Sequence, residues 1–508
     1  MRHLSKLALV LVSVLFATAL AEGATRWIDG LPLFTDWLPN TLDRDTAAKD
    51  VDKIPMAPGV ARSWFFSDPP PLPNRGPVPA DWVRLAKTFP EPPQTTNAPL
   101  RIADLFKAWN SKFVGDPCLS TFFRQAPEKL YVYDPPDGLP YPRFRFLPNA
   151  TTPLGLVTNQ IGWRGPPIQT QSAKQVVRIV FVGASTTVNS HYFPYSYPEF
   201  IGQWLNLWAK SRSLDIDFQI LNAGREIVTS TDIEAIVRTE VLPFFPDLVV
   251  YYEGHNQFKM SLSLKKQESG EVVRVDQIVP ESFGSRLLRD LTHRSALARR
   301  LQAALGWVGN PGRGEEWPKP GYELTWPSAE DEADPDLSRA DLPVNLPTIL
   351  RDLDRMRATL RPLGAELALS SYVWLVEDGM VLDPVRNKFL LEWLNITHFP
   401  FSYRDMARML VFQNRVLQKY ASAHHLPFFD VAKIMPMDPA LFTDGVHMTY
   451  AGIRLHAWIV FQDLVPLVEA KLANKSWPRQ TPRLERVPPE LLFTPRELKV
   501  ECQRRALE

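Results

Sequence analysis

The chain has 508 residues, 45% of them hydrophobic, and its 57 Lys plus Arg almost balance 56 Asp plus Glu, so it carries no overall field that would favour nucleic acid or an anionic membrane surface. Its 15 Trp and 28 Phe are ample for a sizeable core, while only two cysteines, Cys118 and Cys502, exclude a disulfide framework and a cysteine metal cluster. The length allows about three domains or one large domain with insertions.

At the N-terminus, Arg2 and Lys6 precede an apolar run from Leu7 to Ala21, and Ala19-Leu20-Ala21 fits the small-residue site that signal peptidases cut. The run is shorter than the roughly 20 residues that span a bilayer. Residues 1–21 therefore read as a signal peptide, with an uncleaved anchor as the alternative. No other apolar stretch reaches spanning length. The expectation is an exported protein, periplasmic or secreted, starting near Glu22 and meeting a membrane only through the signal segment if that stays uncleaved. Residues 22–125 are rich in Pro and Trp, as in Pro69-Pro70-Pro71, and proline removes backbone donors and restricts its predecessor. They read as an irregular extension wrapping the core, with one helix over Arg101 to Phe113. Asn159-Gln160-Ile161-Gly162-Trp163-Arg164-Gly165 reads as a surface loop or edge strand leading into the first core strand.

Val177-Arg178-Ile179-Val180-Phe181-Val182-Gly183 is a short β-rich apolar run bounded by glycine, which predicts a buried strand. Ser185 follows it by two residues, at the sheet edge where open α/β folds keep their ligand crevices, and is the first candidate nucleophile. Ser196-Tyr197-Pro198-Glu199 has capping-box spacing and predicts a helix to about Lys210. Phe218 to Gly224 is a second strand. Thr231 to Glu234 reads as another capping box, opening a helix that stops before Pro243. Asp247 to Asn256 gives a third strand ending in Gly254-His255-Asn256. Strands alternating with helices predict parallel pairing, with the three polar termini on one edge.

Phe258 to about Leu346 interrupts this rhythm as an insertion containing a basic amphipathic helix, Arg286 to Leu305, whose arginines read as a solvated face. A helix over Pro347 to Arg361, a strand over Ala365 to Leu375, a helix over Tyr403 to His424, a strand over Pro427 to Val431 and a last helix over Tyr450 to Leu472 follow. Residues 473–508 read as a Pro-rich charged tail. Before the last helix stands Asp444-Gly445-Val446-His447. A serine needs an imidazole to take its proton, and the imidazole needs a carboxylate to hold its tautomer. Asp444 and His447 supply both from one loop, whereas the same spacing at Asp290 and His293 lies in the basic helix, away from any strand end. His255 would sit beside the site; His191, His398, His424, His425 and His456 read as structural or surface residues.

These blocks resemble, in order, the SGNH or GDSL-like hydrolase superfamily: Ser185 in Gly183-Ala184-Ser185-Thr186-Thr187, Gly224 in Asn222-Ala223-Gly224, Asn256 in Gly254-His255-Asn256, and His447 with Asp444 three residues before it. The resemblance covers residues 131–472, apart from much of the insertion. Two positions depart from the pattern: the name-giving Gly-Asp-Ser-Leu is Gly-Ala-Ser-Thr, and Gln257 stands where an acid often follows the Asn. The resemblance implies a three-layer α/β/α fold with a mainly parallel, flavodoxin-like sheet over residues 126–472. It implies a Ser185–His447–Asp444 triad, an oxyanion hole of the Ser185 and Gly224 amides with the Asn256 carboxamide, and an acyl-enzyme. No metal or organic cofactor is called for, and the partner is a small-molecule or glycan ester. Hydrolysis of that ester, O-acyl transfer to a cell-envelope polysaccharide, and a non-catalytic binding role are the three functions open at this point.

Overall fold

The computed structural model describes residues 2–29, 33, 45–86, 131–152, 155–189, 193–264, 295–305, 321–327, 329–382, 387–480, 482, 484–492 and 496–497. The expected helix at Arg101 to Phe113, Cys118, Cys502, His191, the Asp290–His293 pair and the first part of the basic helix lie outside them. The chain divides into a larger unit, Thr41–Ser263, Thr325–Leu375 and Arg408–Glu508, and a smaller one, Met1–Asn40, Leu264–Leu324 and Val376–Ala407. This division is narrower than the insertion read from sequence and adds Val376–Ala407 to it.

The larger unit is a three-layer α/β/α sandwich. Strand β1 (Tyr131–Val132) belongs to a separate small ribbon, while β2 (Gln175–Gly183), β3 (Ile216–Asn222), β4 (Leu248–Tyr252), β5 (Glu366–Ser370) and β6 (Phe428–Phe429) form one parallel sheet in the order β3-β2-β4-β5-β6. Counted from β2, that is the 2-1-3-4-5 order of doubly wound flavodoxin-like sheets, whose crevice opens where the order reverses. Here the reversal lies between β2 and β4. Val177, Ile179, Val180, Phe181 and Val182 are wholly buried, as a strand covered on both faces requires. Ile179 pairs with Ile220 on one side and Leu248 on the other, fixing the register in which the strand ends line up.

The smaller unit contains α1 (Arg2–Ile28); the larger contains α2 (Tyr197–Ser211) and α3 (Ser230–Ile236). A further helix of the smaller unit, α4 (Ala296–Ala304), is what the structure describes of the basic helix. In the larger unit α5 (Leu346–Leu360) packs on α3 and β5. Helix α6 (Lys388–Thr397) lies in the smaller unit, and α7 (Tyr403–Ala423) precedes β6. Helix α8 (Tyr450–Ala473) packs on α2, which also covers β3. The capping box of α2 is present at Ser196 and Glu199, whereas that of α3 sits two residues earlier than expected, on Thr229 and Asp232. Past Ile236 the chain continues as a π-helical turn and a 3-10 turn to Phe244, so Pro243 falls in a first turn, where its missing N–H costs nothing.

Three sequence readings are corrected by packing. Helix α8 is long and apolar enough to span a membrane, but 83% of its apolar window is buried in the protein, so it is a core helix. Arg454, His456 and Gln462 interrupt its apolar run along the sequence, yet all three are buried. The Asn159–Gly165 segment is not a surface loop: Ile161, Trp163 and Arg164 are buried, and Arg164 donates to the carbonyls of Val188 (3.1 Å) and Phe193 (2.8 Å) while pairing with Glu199 (3.2 Å). The described residues after Ala473 lie against the core: Trp477 and Leu491 are buried, Arg479 binds Asp247, and β7 (Arg496–Glu497) pairs with β1. In the proline-rich extension, the described residues 45–86 lie against the core. Phe65 packs edge-on against Trp458 at 5.6 Å, and its carbonyl accepts from buried Arg454 at 2.7 Å.

Removing one partner of a fully buried ion pair typically costs about 3–5 kcal/mol. Arg164→Ala is therefore expected to lower unfolding free energy by about that amount in urea titrations; a loss under about 1 kcal/mol would show that Arg164 does not hold the turn after Ser185.

Candidate active site

Each candidate residue stands at or beyond the carboxyl end of the parallel sheet. Strand β2 ends at Gly183, where a Cβ would come within 2.1 Å of both Thr187 Oγ1 and the Tyr252 carbonyl. Only glycine lets the chain turn that close to β4. The turn leads into one helical turn, Ser185–Val188, closed by Asn189 in the left-handed region. Asn189 ties this turn to α2: its Nδ2 donates to the Thr186 carbonyl and its Oδ1 accepts the Tyr197 amide, both at 2.8 Å.

The loop bearing Asp444 and His447 folds back on itself before α8. Phe442 bridges Met448, the Thr443 amide donates to the His447 carbonyl at 2.8 Å, and the Leu375 amide donates to the Gly445 carbonyl at 2.7 Å. Asp444 Oδ1 accepts the amides of Val446 and His447, each at 2.8 Å, leaving Oδ2 to meet His447 Nδ1 at 2.7 Å. His447 Nε2 lies 2.8 Å from Ser185 Oγ. Residues 262 positions apart are thus joined by a continuous chain of hydrogen bonds. With Asp444 accepting at Nδ1–H, the neutral tautomer presents the Nε2 lone pair to the serine hydroxyl. The Asp444 and His447 side chains are 14% and 19% exposed, so the site is shielded yet reachable.

The electrostatics suit that tautomer. Burial works against charge on His447, but the charge and hydrogen bond of Asp444, with Glu226 and Glu253, outweigh it and hold the imidazole above its ordinary 6.5. Burial likewise disfavours ionised Asp444, yet His447 and the two loop amides keep it below 3.8. His255 also stands near: burial and the neighbouring His447 push it down to about 4, so it is a neutral imidazole at pH 7, edge-on to Trp374 at 5.5 Å.

The three residues assigned to the oxyanion hole differ in how they are engaged. Ser185 opens its helical turn, so its amide has no intrahelical acceptor. The Asn256 carboxamide donates once, to the Val228 carbonyl at 2.8 Å, and a carboxamide carries a second N–H. The Gly224 amide instead donates to Asn222 Oδ1 at 3.0 Å, and Asn222 Nδ2 donates to the Thr187 carbonyl at 2.9 Å. Asn222 therefore holds the strand end to the Ser185–Val188 turn and occupies the donor that the resemblance assigned to an oxyanion. His424 contacts Arg357 and His456 lies between aromatic rings in the core, pushed down to about 3 by burial, both apart from the triad.

Sequence reasoning gave no role to Glu253. It is buried at the end of β4, where its carboxylate accepts the Asn256 amide at 2.9 Å and the amides of Gly254, His255 and Ala184 also favour its charged form. Burial raises it to about 7 despite those donors. The carboxylate thereby holds the loop carrying Asn256 at the end of β4. A lone Glu closing the apolar run Leu248–Tyr252 was the available signal.

No protein-family model matches the chain. Comparison with curated proteins also gives no match. Among solved structures the chain is similar to Axe2, an acetylxylan esterase from Geobacillus stearothermophilus, at 14% identity over 58% of this chain and 96% of that one, with a TM-score of 0.30. It is similar to the acetyl xylan esterase AlAXEase at 11% identity over 57% and 100% of the two chains, TM-score 0.30. A lipase/acylhydrolase from Enterococcus faecalis is similar at 14% identity over 57% and 96%, TM-score 0.29.

Two outcomes are expected from this geometry. A general base must be neutral, so activity on an ester should fall as pH drops through the raised His447 value, placing the acid limb of kcat/KM above pH 6.5. Asp444→Asn removes the charge that raises it and should move the limb down while cutting kcat by about 10⁴; an unmoved limb would mean that another group titrates. Glu253→Ala should lower kcat by about 10²–10³ with little change in KM, the loss typical of a misplaced oxyanion donor, with Glu253→Gln recovering part of it. Equal loss in KM, or none in kcat, would reduce Glu253 to a packing residue.

Proposed function

We propose that the chain is an exported serine esterase of the SGNH type that cleaves carboxylic esters through an acyl-enzyme. The observation that carries this reading is the unbroken Asp444–His447–Ser185 hydrogen-bond chain at the carboxyl edge of a flavodoxin-like sheet. Ser185 Oγ attacks the ester carbonyl carbon while its proton passes to His447 Nε2, and Asp444 stabilises the imidazolium. The negative charge on the former carbonyl oxygen is met by the Ser185 amide and the second N–H of Asn256, the two donors left available; Gly224 contributes if the oxyanion displaces Asn222 Oδ1. Collapse expels the alcohol, which takes the proton from His447. Water then attacks the acyl-Ser185 ester by the same proton path and releases the acid. None of these steps draws on a metal or organic cofactor.

The substrate class follows as a proposal from the same site. The shielded triad and the neutral imidazole of His255 beside it suit an uncharged ester of a small-molecule or glycan alcohol. Export rests on the Arg2 and Lys6 start followed by the apolar helix.

Purified protein should hydrolyse p-nitrophenyl acetate, and Ser185→Ala and His447→Ala should each lower kcat by at least about 10³ while keeping the wild-type circular dichroism. Including an acetylated donor and a soluble polysaccharide acceptor separates the outcomes: free acetate means hydrolysis, acetyl on the acceptor means transfer. Turnover that survives both substitutions would contradict the triad.

A further inference from the structure

The N-terminal helix has features that a removable leader does not need. Helix α1 runs unbroken from Arg2 to Ile28, 27 residues or about 40 Å at 1.5 Å per residue. Leu9, Val10, Leu11 and Val12 are 68, 60, 56 and 62% exposed. Four consecutive residues point to every side of a helix, so no stripe of α1 is covered along this stretch. A soluble helix hides one apolar face, whereas a helix apolar all round and uncovered fits hydrocarbon. Helix α8 has similar length and is the contrast: its apolar window is 83% buried, that of α1 only 6%.

The expected cleavage point lies inside this helix, and both residues of its scissile bond are engaged. The Ala21 carbonyl accepts the Thr25 hydroxyl at 2.7 Å. The Glu22 carboxylate accepts the Ser295 hydroxyl at 2.7 Å and the amides of Ala296 and Leu297 at 2.9 Å, and it pairs with Arg26 at 2.7 Å. Glu22 is thus the cap of α4, satisfying amides that a helix start leaves without partners and placing negative charge at the positive end of its dipole. Asp29 adds a second tie, to Arg300. Cutting after Ala21 would put a new ammonium charge at this same helix start, where a positive charge is unfavourable. A peptidase also needs the segment extended, and the helix with its cap opposes unwinding.

We propose that α1 is retained as a single-span membrane anchor, its partner the acyl chains of a lipid bilayer, and that the Glu22 cap on α4 protects the Ala21–Glu22 bond. The apolar span lies between Lys6 and Glu22, about 22 Å of helix and short of a ~30 Å hydrocarbon core, so Lys6 snorkels and the bilayer thins locally. Trp27, 77% exposed, lies one to two turns further out, where an amphipathic ring sits at the headgroup level. Arg2 and Lys6 keep the N-terminus on the cytoplasmic side, and the rest of the chain follows across. The proposal does not depend on the esterase reading.

The test uses the full chain with a C-terminal affinity tag, made in a bacterial host with an export pathway. Membranes are washed with alkaline carbonate, and the protein is purified in detergent for intact mass and N-terminal sequencing. The expected result is a carbonate-resistant membrane protein that retains residues 2–21. A soluble product beginning at Glu22, or an uncut chain released by carbonate, would overturn the proposal. A Glu22→Ala, Ser295→Ala variant is expected to gain a product lacking residues 1–21, because the cap is gone; if it stays as uncut as wild type, the protective role of the cap is wrong. Ester hydrolysis by each fraction is read separately, so inactivity bears on the esterase reading and leaves the anchor result intact.

Discussion

Parallel pairing of β2 on both of its sides is the constraint from which the rest of the larger unit follows. Because Ile179 is opposite Ile220 and Leu248, β2, β3 and β4 end at nearly one level, and the chain leaves each of them toward the same crevice. Parallel strands need crossovers, and the helices that make them cover both faces, so the strands are buried throughout and their polar groups can surface only at the ends. Ser185, Asn222, Gly224, Glu253 and Asn256 all stand at those ends. Asp444 and His447 arrive from the far side of the sheet, on a loop braced by its own Phe442–Met448 bridge.

Charge is handled in the same way at three buried carboxylates of the larger unit, which are matched by directed donors or a counter-charge. Asp444 has two amides and an imidazole; Glu253 has the Asn256 amide; Glu240, deep in the core, has Arg145, Arg225 and Trp163, which hold it down at about 2 against burial. Leaving any of these groups unmatched in a low-dielectric interior would cost far more than a surface charge does. The consequence is a rigid setting for Ser185, whose turn is held to α2 through Asn189, to β3 through Asn222 and to the Asn159–Gly165 segment through Arg164.

Much of this was legible in the sequence where local pattern and fold agree. The β-branched run before Gly183, the Ser196–Glu199 capping box and the strand–helix alternation predicted the sheet, and Asp444-x-x-His447 followed the last core strand as a site loop would. What escaped were residues whose role comes from contacts distant in sequence. Arg164 looks like a loop residue until Glu199 and the Val188 carbonyl are beside it. Glu253 looks like a strand-end charge until the Asn256 amide is found on it. Gly224 looks like an oxyanion donor until Asn222 is seen to occupy its N–H. The bounds of α8 read from sequence, Tyr450 to Leu472, match the helix to within a residue, but its burial did not show, because hydropathy along the chain cannot tell a buried Arg454 from an exposed one. Residues 376–407 were read as part of the continuing α/β alternation and instead join the smaller unit, since composition carries no sign of which segments share a core.

The central claim is that Ser185 is a nucleophile activated by His447. The most direct measurement is intact mass, followed by peptide mapping, after treatment with a fluorophosphonate, which reacts with an activated serine. The account predicts one adduct per chain, on the peptide bearing Ser185, and none in a folded His447→Ala variant. No adduct on wild type, or the same labelling without His447, would contradict it.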